Sequence, residues 1–179
     1  MSLQLHNLDS RIRTLMLEEI ALDEERQRLY TSRRFTPVGA AAYPMILKEV
    51  VQEGGDAELA RRLRSHGCFA ETETRELKGG KISIAKVPVT AAETFAEGEF
   101  NRFYLRAICR AAIEDGLSHV VVYRARHSES PRRESEALVG KTLPAATLLE
   151  DLRSNTGVDT CFGLPPGPNS GLSARLPIK

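Results

Sequence analysis

The stretch Thr90–Gly116, TAAETFAEGEFNRFYLRAICRAAIEDG, decides the fold. It opens on Thr90-Ala91-Ala92-Glu93, the spacing of a capping box, in which a hydroxyl and a carboxylate satisfy first-turn N–H groups reciprocally. Phe100, Phe103, Tyr104, Ala107, Ile108 and Ala111 then share one broad helical face. The pattern predicts a helix running to about Asp115 and stopping at Gly116. Aromatics make up only 6% of the 179 residues, and there is no Trp, so the core is expected where they cluster. Gly98 interrupts the helix at a cost of about 1 kcal/mol against Ala. Its presence predicts a kink or a close backbone approach. Arg102, Arg106 and Arg110 form an i, i+4, i+8 row on another face.

Upstream, Leu8, Leu15, Leu22 and Leu29 recur every seven residues, with Ile12, Met16 and Ile20 beside them. This predicts an amphipathic helix over 8–31. Glu19 and Arg26 fall at the facing heptad positions and are poor seam residues, so packing on this domain or on a neighbour is expected, not self-coiling. After a break at Arg33–Gly39, Pro44 is expected in the first turn of a helix that runs to about Gln52. Asp56 is the expected N-cap of a helix ending before Gly67. Residues 68–81 read as a polar lead-in, and Lys81–Val89 as a strand or extended arm that Pro88 confines to an edge. Val120–Tyr123 is the clearest strand, and Pro144 opens a short helix holding Leu148, Leu149 and Leu152. Beyond Gly157 the composition shifts, and Pro165–Gly171 reads as an extended tail.

The expected fold is therefore α+β and helix-dominated, with a small β component. Residues 1–36 form an N-terminal helical interaction segment, 37–160 a globular domain, and 161–179 an extended C-terminal tail.

Lys and Arg number 25 and Asp and Glu 24, a net charge of +1. That near-balance argues against a protein whose main task is gripping phosphates. No stretch reaches 18 apolar residues, so no membrane span is expected, and the start lacks the pattern of a secretory signal. A cytoplasmic location is expected on these grounds.

Candidate chemistry is sparse. Gly140-Lys141-Thr142 resembles the end of a phosphate-binding loop, but Ser135 stands where the earlier Gly is needed and Pro144 follows. His6, His66, His119 and His127 contain no H-x-x-x-H pair, and Cys68, Cys109 and Cys161 contain no C-x-x-C pair. Cys109 follows Ile108 on an amphipathic helix and is expected to be packed, not reactive. Glu97/Glu99 and Glu134/Glu136 read as solvated charge. No catalytic residue, cofactor or metal is expected.

Basic clusters are the stronger signal. Arg124, Arg126, Arg132 and Arg133 lie within ten residues, and Arg61, Arg62 and Arg64 form a second patch. Either could meet the carboxylates of a partner or the phosphates of nucleic acid. The expected interaction residues are Leu8, Ile12, Leu15, Leu22 and Leu29 on the first helix, the four arginines of 124–133, and Pro165 and Pro168 in the tail. The partners expected are protein subunits of an assembly, this chain or others, with weak nucleic-acid contact as a further possibility. Two alternatives to a structural or interaction subunit stay open: a nucleic-acid-associated protein using the Arg-rich loops, and an enzyme whose site is assembled from distant residues.

Ala96–Tyr104, AEGEFNRFY, resembles a segment in uncharacterised proteins of tailed phages and prophages, and Pro165–Leu172, PPGPNSGL, adds to the likeness. The resemblance covers the C-terminal half and includes no catalytic motif. It implies a virion component, a minor capsid or head-associated protein.

Overall fold

The fold is built around the helix that the Thr90–Gly116 pattern predicts. A computed structural model describes residues 2–76, 79–156 and 171–177. Among them are α1 (Ser10–Glu25), α2 (Pro37–Glu53), α3 (Asp56–Ser65), β1 (Thr72–Glu76), β2 (Ile82–Lys86), α4 (Ala91–Glu114), β3 (His119–Arg124), α5 (Arg133–Glu136), β4 (Thr142–Pro144), α6 (Ala145–Ser154) and β5 (Leu172–Arg175). Helix-dominated α+β is the observed class. Helices α1, α3 and α6 pack on α4, and a three-stranded antiparallel sheet of order β4-β3-β5 packs against the same helix through β3 and β5. A separate antiparallel hairpin, β1-β2, stands apart from that sheet.

Phe100, Phe103, Tyr104, Ala107, Ile108 and Ala111 of α4 are all fully buried, so the core sits where the aromatics cluster. The helix ends as expected. Gly116 N–H bonds Ile113 O and Leu117 N–H bonds Ala112 O, a Schellman closure with Gly116 at φ 71°. Its start differs. Thr90 has φ −92° and ψ 9°, not the extended geometry of an N-cap, and its hydroxyl makes no cap bond. Glu93 turns instead to Arg64 of α3.

Helix α1 is shorter than the seven-residue repeat predicts. Asp9 caps it by accepting from Ile12 N–H at 2.9 Å. It closes at Arg26, where Gln27 N–H bonds Glu24 O and Arg28 N–H bonds Asp23 O. Gln27 occupies the left-handed position, φ 53°, that glycine normally takes. With no Gly or Pro to mark it, the stop was invisible to pattern. Leu29 lies past that turn, yet still packs on the core.

Helix α2 begins at Pro37, not at Pro44. Thr36 Oγ1 accepts from Gly39 N–H at 2.9 Å, and Pro37 fills a first-turn position where no N–H is needed. Pro44 lies inside the helix. The burial of Tyr43, Ile46, Leu47, Val50 and Val51 offsets the hydrogen bond that its ring removes. Gly39 permits this packing: a Cβ there would collide with the Cys68 carbonyl. Asp56 is the first residue of α3, with Gly55 as the cap. Its carboxylate accepts from Ser2 Oγ at 2.5 Å and Leu3 N–H at 3.1 Å, tying down the N-terminus.

The polar lead-in is a strand. β1 pairs with β2 from Thr72↔Lys86 to Glu76↔Ile82. The segment expected as a tail across another surface contains β5, which pairs with β3 from Val121↔Arg175 to Arg124↔Leu172 and buries Leu172, Ser173 and Ala174. Asn101 fixes it, donating to Leu172 O at 2.8 Å and accepting from Ser173 Oγ at 2.7 Å. Pro165, Pro168 and Cys161 lie outside the described residues. Among the described residues, no helix is long and apolar enough to cross a membrane.

Candidate functional site

Two features stand out once the helices are packed: a buried ionic cluster and an exposed apolar hairpin. The cluster grows from the arginine row of α4. Side chains at i and i+4 stack on one helix face, so Arg102, Arg106 and Arg110 point together toward α1 and α6. Arg106 is completely buried. Its Nε donates to Glu19 Oε2 at 2.7 Å, and its Nη1 and Nη2 grip both oxygens of Asp23 at 2.6 and 3.0 Å. Its guanidinium carbon lies 5.1 Å from the Phe103 ring centre. Glu19 also accepts from Arg153 of α6, Nη2 at 2.5 Å and Nε at 3.0 Å. Arg110 bonds Glu18 at 2.7 Å at the cluster's outer edge.

Burial works to raise the Glu19 carboxyl, but the hydrogen bonds and charges of Arg153 and Arg106 outweigh it and hold it below the usual carboxylate range. Two turns before Arg106 on α4 the balance reverses. Glu99 faces Arg102 at 3.3 Å, but its second oxygen is buried with no hydrogen-bond partner. Burial pushes its carboxyl up, against the pull of Arg102. The Tyr43 hydroxyl is likewise buried without a partner, and burial raises it.

The cluster saturates itself. Glu19 and Asp23 are consumed by arginines, and their bidentate geometry locks three helices in register. Among the described residues no group of three or more His, Cys, Asp or Glu is placed to hold a metal ion. Burial pushes the Cys109 thiol up to about 12, the opposite of an activated nucleophile. An open groove of about 390 Å3 lies elsewhere, lined by Leu8, Asp9, Arg13 and Leu17 among others. There Arg13 is engaged with Val51 O at 2.6 Å and Gly54 O at 3.0 Å.

The residues expected to form interfaces are largely used within the chain. Ile12 and Leu15 are buried in its own core, with Leu8 and Leu29 packed against that core and Leu22 half-buried. The first 36 residues are thus part of the globular unit: α1 packs on α4 because both carry matching apolar faces and opposite charges. Arg124 pairs with Glu136 at 2.7 Å and Arg126 with Glu97 at 3.0 Å. Arg132 and Arg133 are exposed at the start of α5. Arg61 and Arg62 pair with Glu58, and Arg62 also reaches Glu49 at 2.5 Å. Glu58 lies one helical turn from Arg61 and Arg62, a spacing visible in the sequence, whereas sequence separation hid Glu49, Glu97 and Glu136.

No protein-family model, curated protein or solved structure matches the chain.

The second feature, the hairpin, was legible only as one extended arm. Its root is fixed to the body. Ala70 N–H bonds Arg34 O at 2.9 Å, Thr36 N–H bonds Cys68 O at 2.8 Å, and Phe35 bridges Phe69. Arg34 grips both oxygens of Glu73 at 2.6 and 3.2 Å, and Arg75 adds two bonds at 2.8 and 2.6 Å. Hydrogen bonds from Arg34 and Arg75 hold the Glu73 carboxyl down to about 2. Below this root, Phe35, Tyr43 and Phe95 form an edge-on aromatic cluster with ring centres 4.8 to 5.5 Å apart. Beyond it, Ile82 and Ile84 are each 75% exposed.

Proposed function

We propose that the chain is a structural or interaction subunit of a larger protein assembly, and that the β1–β2 hairpin is its contact arm. The observation that carries this reading is the exposure of Ile82 and Ile84 on a two-stranded sheet. An isolated hairpin is marginal in water, and three or more strands or a covering surface normally stabilise one. Two β-branched apolar residues at adjacent same-face positions are suited to such a surface. The ionic cluster supports the same reading, because it fixes a rigid helical body from which the arm projects. The arginines of 124–133 and 61–64 that meet carboxylates of this chain favour a protein partner over nucleic acid. The likeness of residues 96–104 to tailed-phage segments supports a virion setting.

Cross-linking mass spectrometry in the native source tests it. Lys81 and Lys86 border the isoleucines, so amine cross-links from them to another polypeptide or another copy are expected. A native particle no larger than the 19.8 kDa chain, with intrachain links alone, would overturn the reading.

A further inference from the structure

The ladder of the hairpin fixes which of its backbone groups are spare. Val87 N–H bonds Glu71 O at 2.9 Å, one rung beyond Thr72↔Lys86. In an antiparallel pair, hydrogen-bonded rungs alternate with non-hydrogen-bonded ones. The bonded rungs therefore fall on Glu73↔Ala85 and Arg75↔Ser83. The N–H and C=O of Ile82, Ile84 and Lys86 point the other way, off the outer edge of β2. No backbone hydrogen bond from another described element reaches them. The same three residues share the exposed face, with Thr72, Thr74 and Glu76 beside them on β1. Spare hydrogen-bonding capacity and exposed apolar side chains thus coincide on one five-residue edge, the combination that templates strand addition.

We infer that a second copy of this chain pairs there, β2 against β2 in antiparallel, about a two-fold axis through Ile84. This deepens the proposed contact-arm reading and rests on it. Ile84 then lies opposite its counterpart, and Ile82 opposite Lys86 of the other copy. All three outward-facing residues find hydrogen-bonded rungs, and the two hairpins become one four-stranded sheet. Charge complementarity selects this register. Lys86 lies over the other copy's Ile82, whose neighbour on β1 is Glu76, so Lys86 and Glu76 flank that isoleucine on one face. Their strands are about 10 Å apart, twice the strand spacing, within reach of an extended lysine and glutamate. No like charges stand opposite each other. The isoleucines of the two copies form one continuous apolar cluster, and the isologous contact closes at two copies.

Sedimentation equilibrium on the purified full chain reads the result. Wild type is expected to approach twice 19.8 kDa over a dilution series from about 100 to 1 µM. Ile84→Pro removes an N–H that the hairpin itself does not use, so it is expected to sediment as a folded monomer, with the helical circular dichroism unchanged. Ile84→Arg places two cations at the axis, keeps the N–H, and is expected to weaken the dimer at least tenfold. It decides the matter should the proline variant fail to fold. In a Cys161→Ser background, Ile84→Cys is expected to form a symmetric disulfide under oxidation, because directly opposed bonded residues lie about 5.5 Å apart at Cα. A monomeric wild type, dimers that survive Ile84→Arg, or larger open oligomers would each overturn the inference. A monomeric purified chain that cross-links to another protein in the native source defeats the self-pairing alone. The assembly reading fails only if those cross-links are also absent.

Discussion

At the scale of single residues, Arg106 has the most at stake. It is fully buried and donates to two carboxylates that are themselves almost fully buried. Removing one partner of such a group strands the others in low dielectric. Arg106→Ala is expected to destabilise the chain by about 3–5 kcal/mol, measured by urea unfolding. Gln27 offers the opposite case. A non-glycine residue in the left-handed region costs about 1–2 kcal/mol, part of which glycine recovers. Gln27→Gly is expected to raise stability by about 0.5–1 kcal/mol, read as a shift in the urea midpoint.

At the scale of elements, α4 was the most legible. Its length, its stop at Gly116 and its buried face all follow from spacing. Gly98 was misleading. It is exposed, and an added Cβ would meet no atom within 4 Å, so neither a close approach nor a packing need keeps glycine there. Gly98→Ala is expected to add about 1 kcal/mol of stability, measurable as a rise in Tm. The strands were less legible because their signals are set by neighbours. β1, Thr-Glu-Thr-Arg-Glu, has no apolar residue, and Glu73 becomes half-buried only because Arg34 lies 39 positions away in sequence but 2.6 Å away in space. β5 is four residues long beside a Pro/Gly run, and only its pairing with β3 identifies it. Pro44 shows the same rule in a helix, where five buried side chains outweigh the local propensity to start a turn.

For the whole molecule, the arginine-paired carboxylates set the response to acid. Glu19 is held below the usual carboxylate range in the folded chain, and Glu58 and Glu73 are held at about 2 by their arginines. A carboxylate whose folded pKa is depressed contributes stability above the unfolded value and loses it as pH falls through the folded one. Glu99 acts oppositely: raised by burial, it costs stability as pH climbs from about 4.5 through its folded value. Because Glu99 acts only above about pH 4.5, the three depressed carboxylates alone set the slope below it and predict a loss of stability between pH 4.5 and about 2. Urea midpoints measured across that window are expected to fall steadily. A flat profile would mean that the salt-bridged carboxylates contribute nothing.

Sequence by itself determined the helix-dominated α+β class, the aromatic core on α4, the β3 strand and the short helix after Pro144. Each is a local period or a local cap, and such signals are carried by residues a few positions apart. Tertiary structure alone decided what the charged and apolar surfaces do. The row of Arg102, Arg106 and Arg110 reads only as one face of its helix until Glu19 and Asp23 arrive from α1. The seven-residue leucine repeat looks like an interface until α4 covers it. Conversely, Ile82 and Ile84 look like ordinary strand residues until the packed body leaves them in water. Burial is a property of pairs of elements, and pairing is settled by which faces and charges match across long stretches of chain.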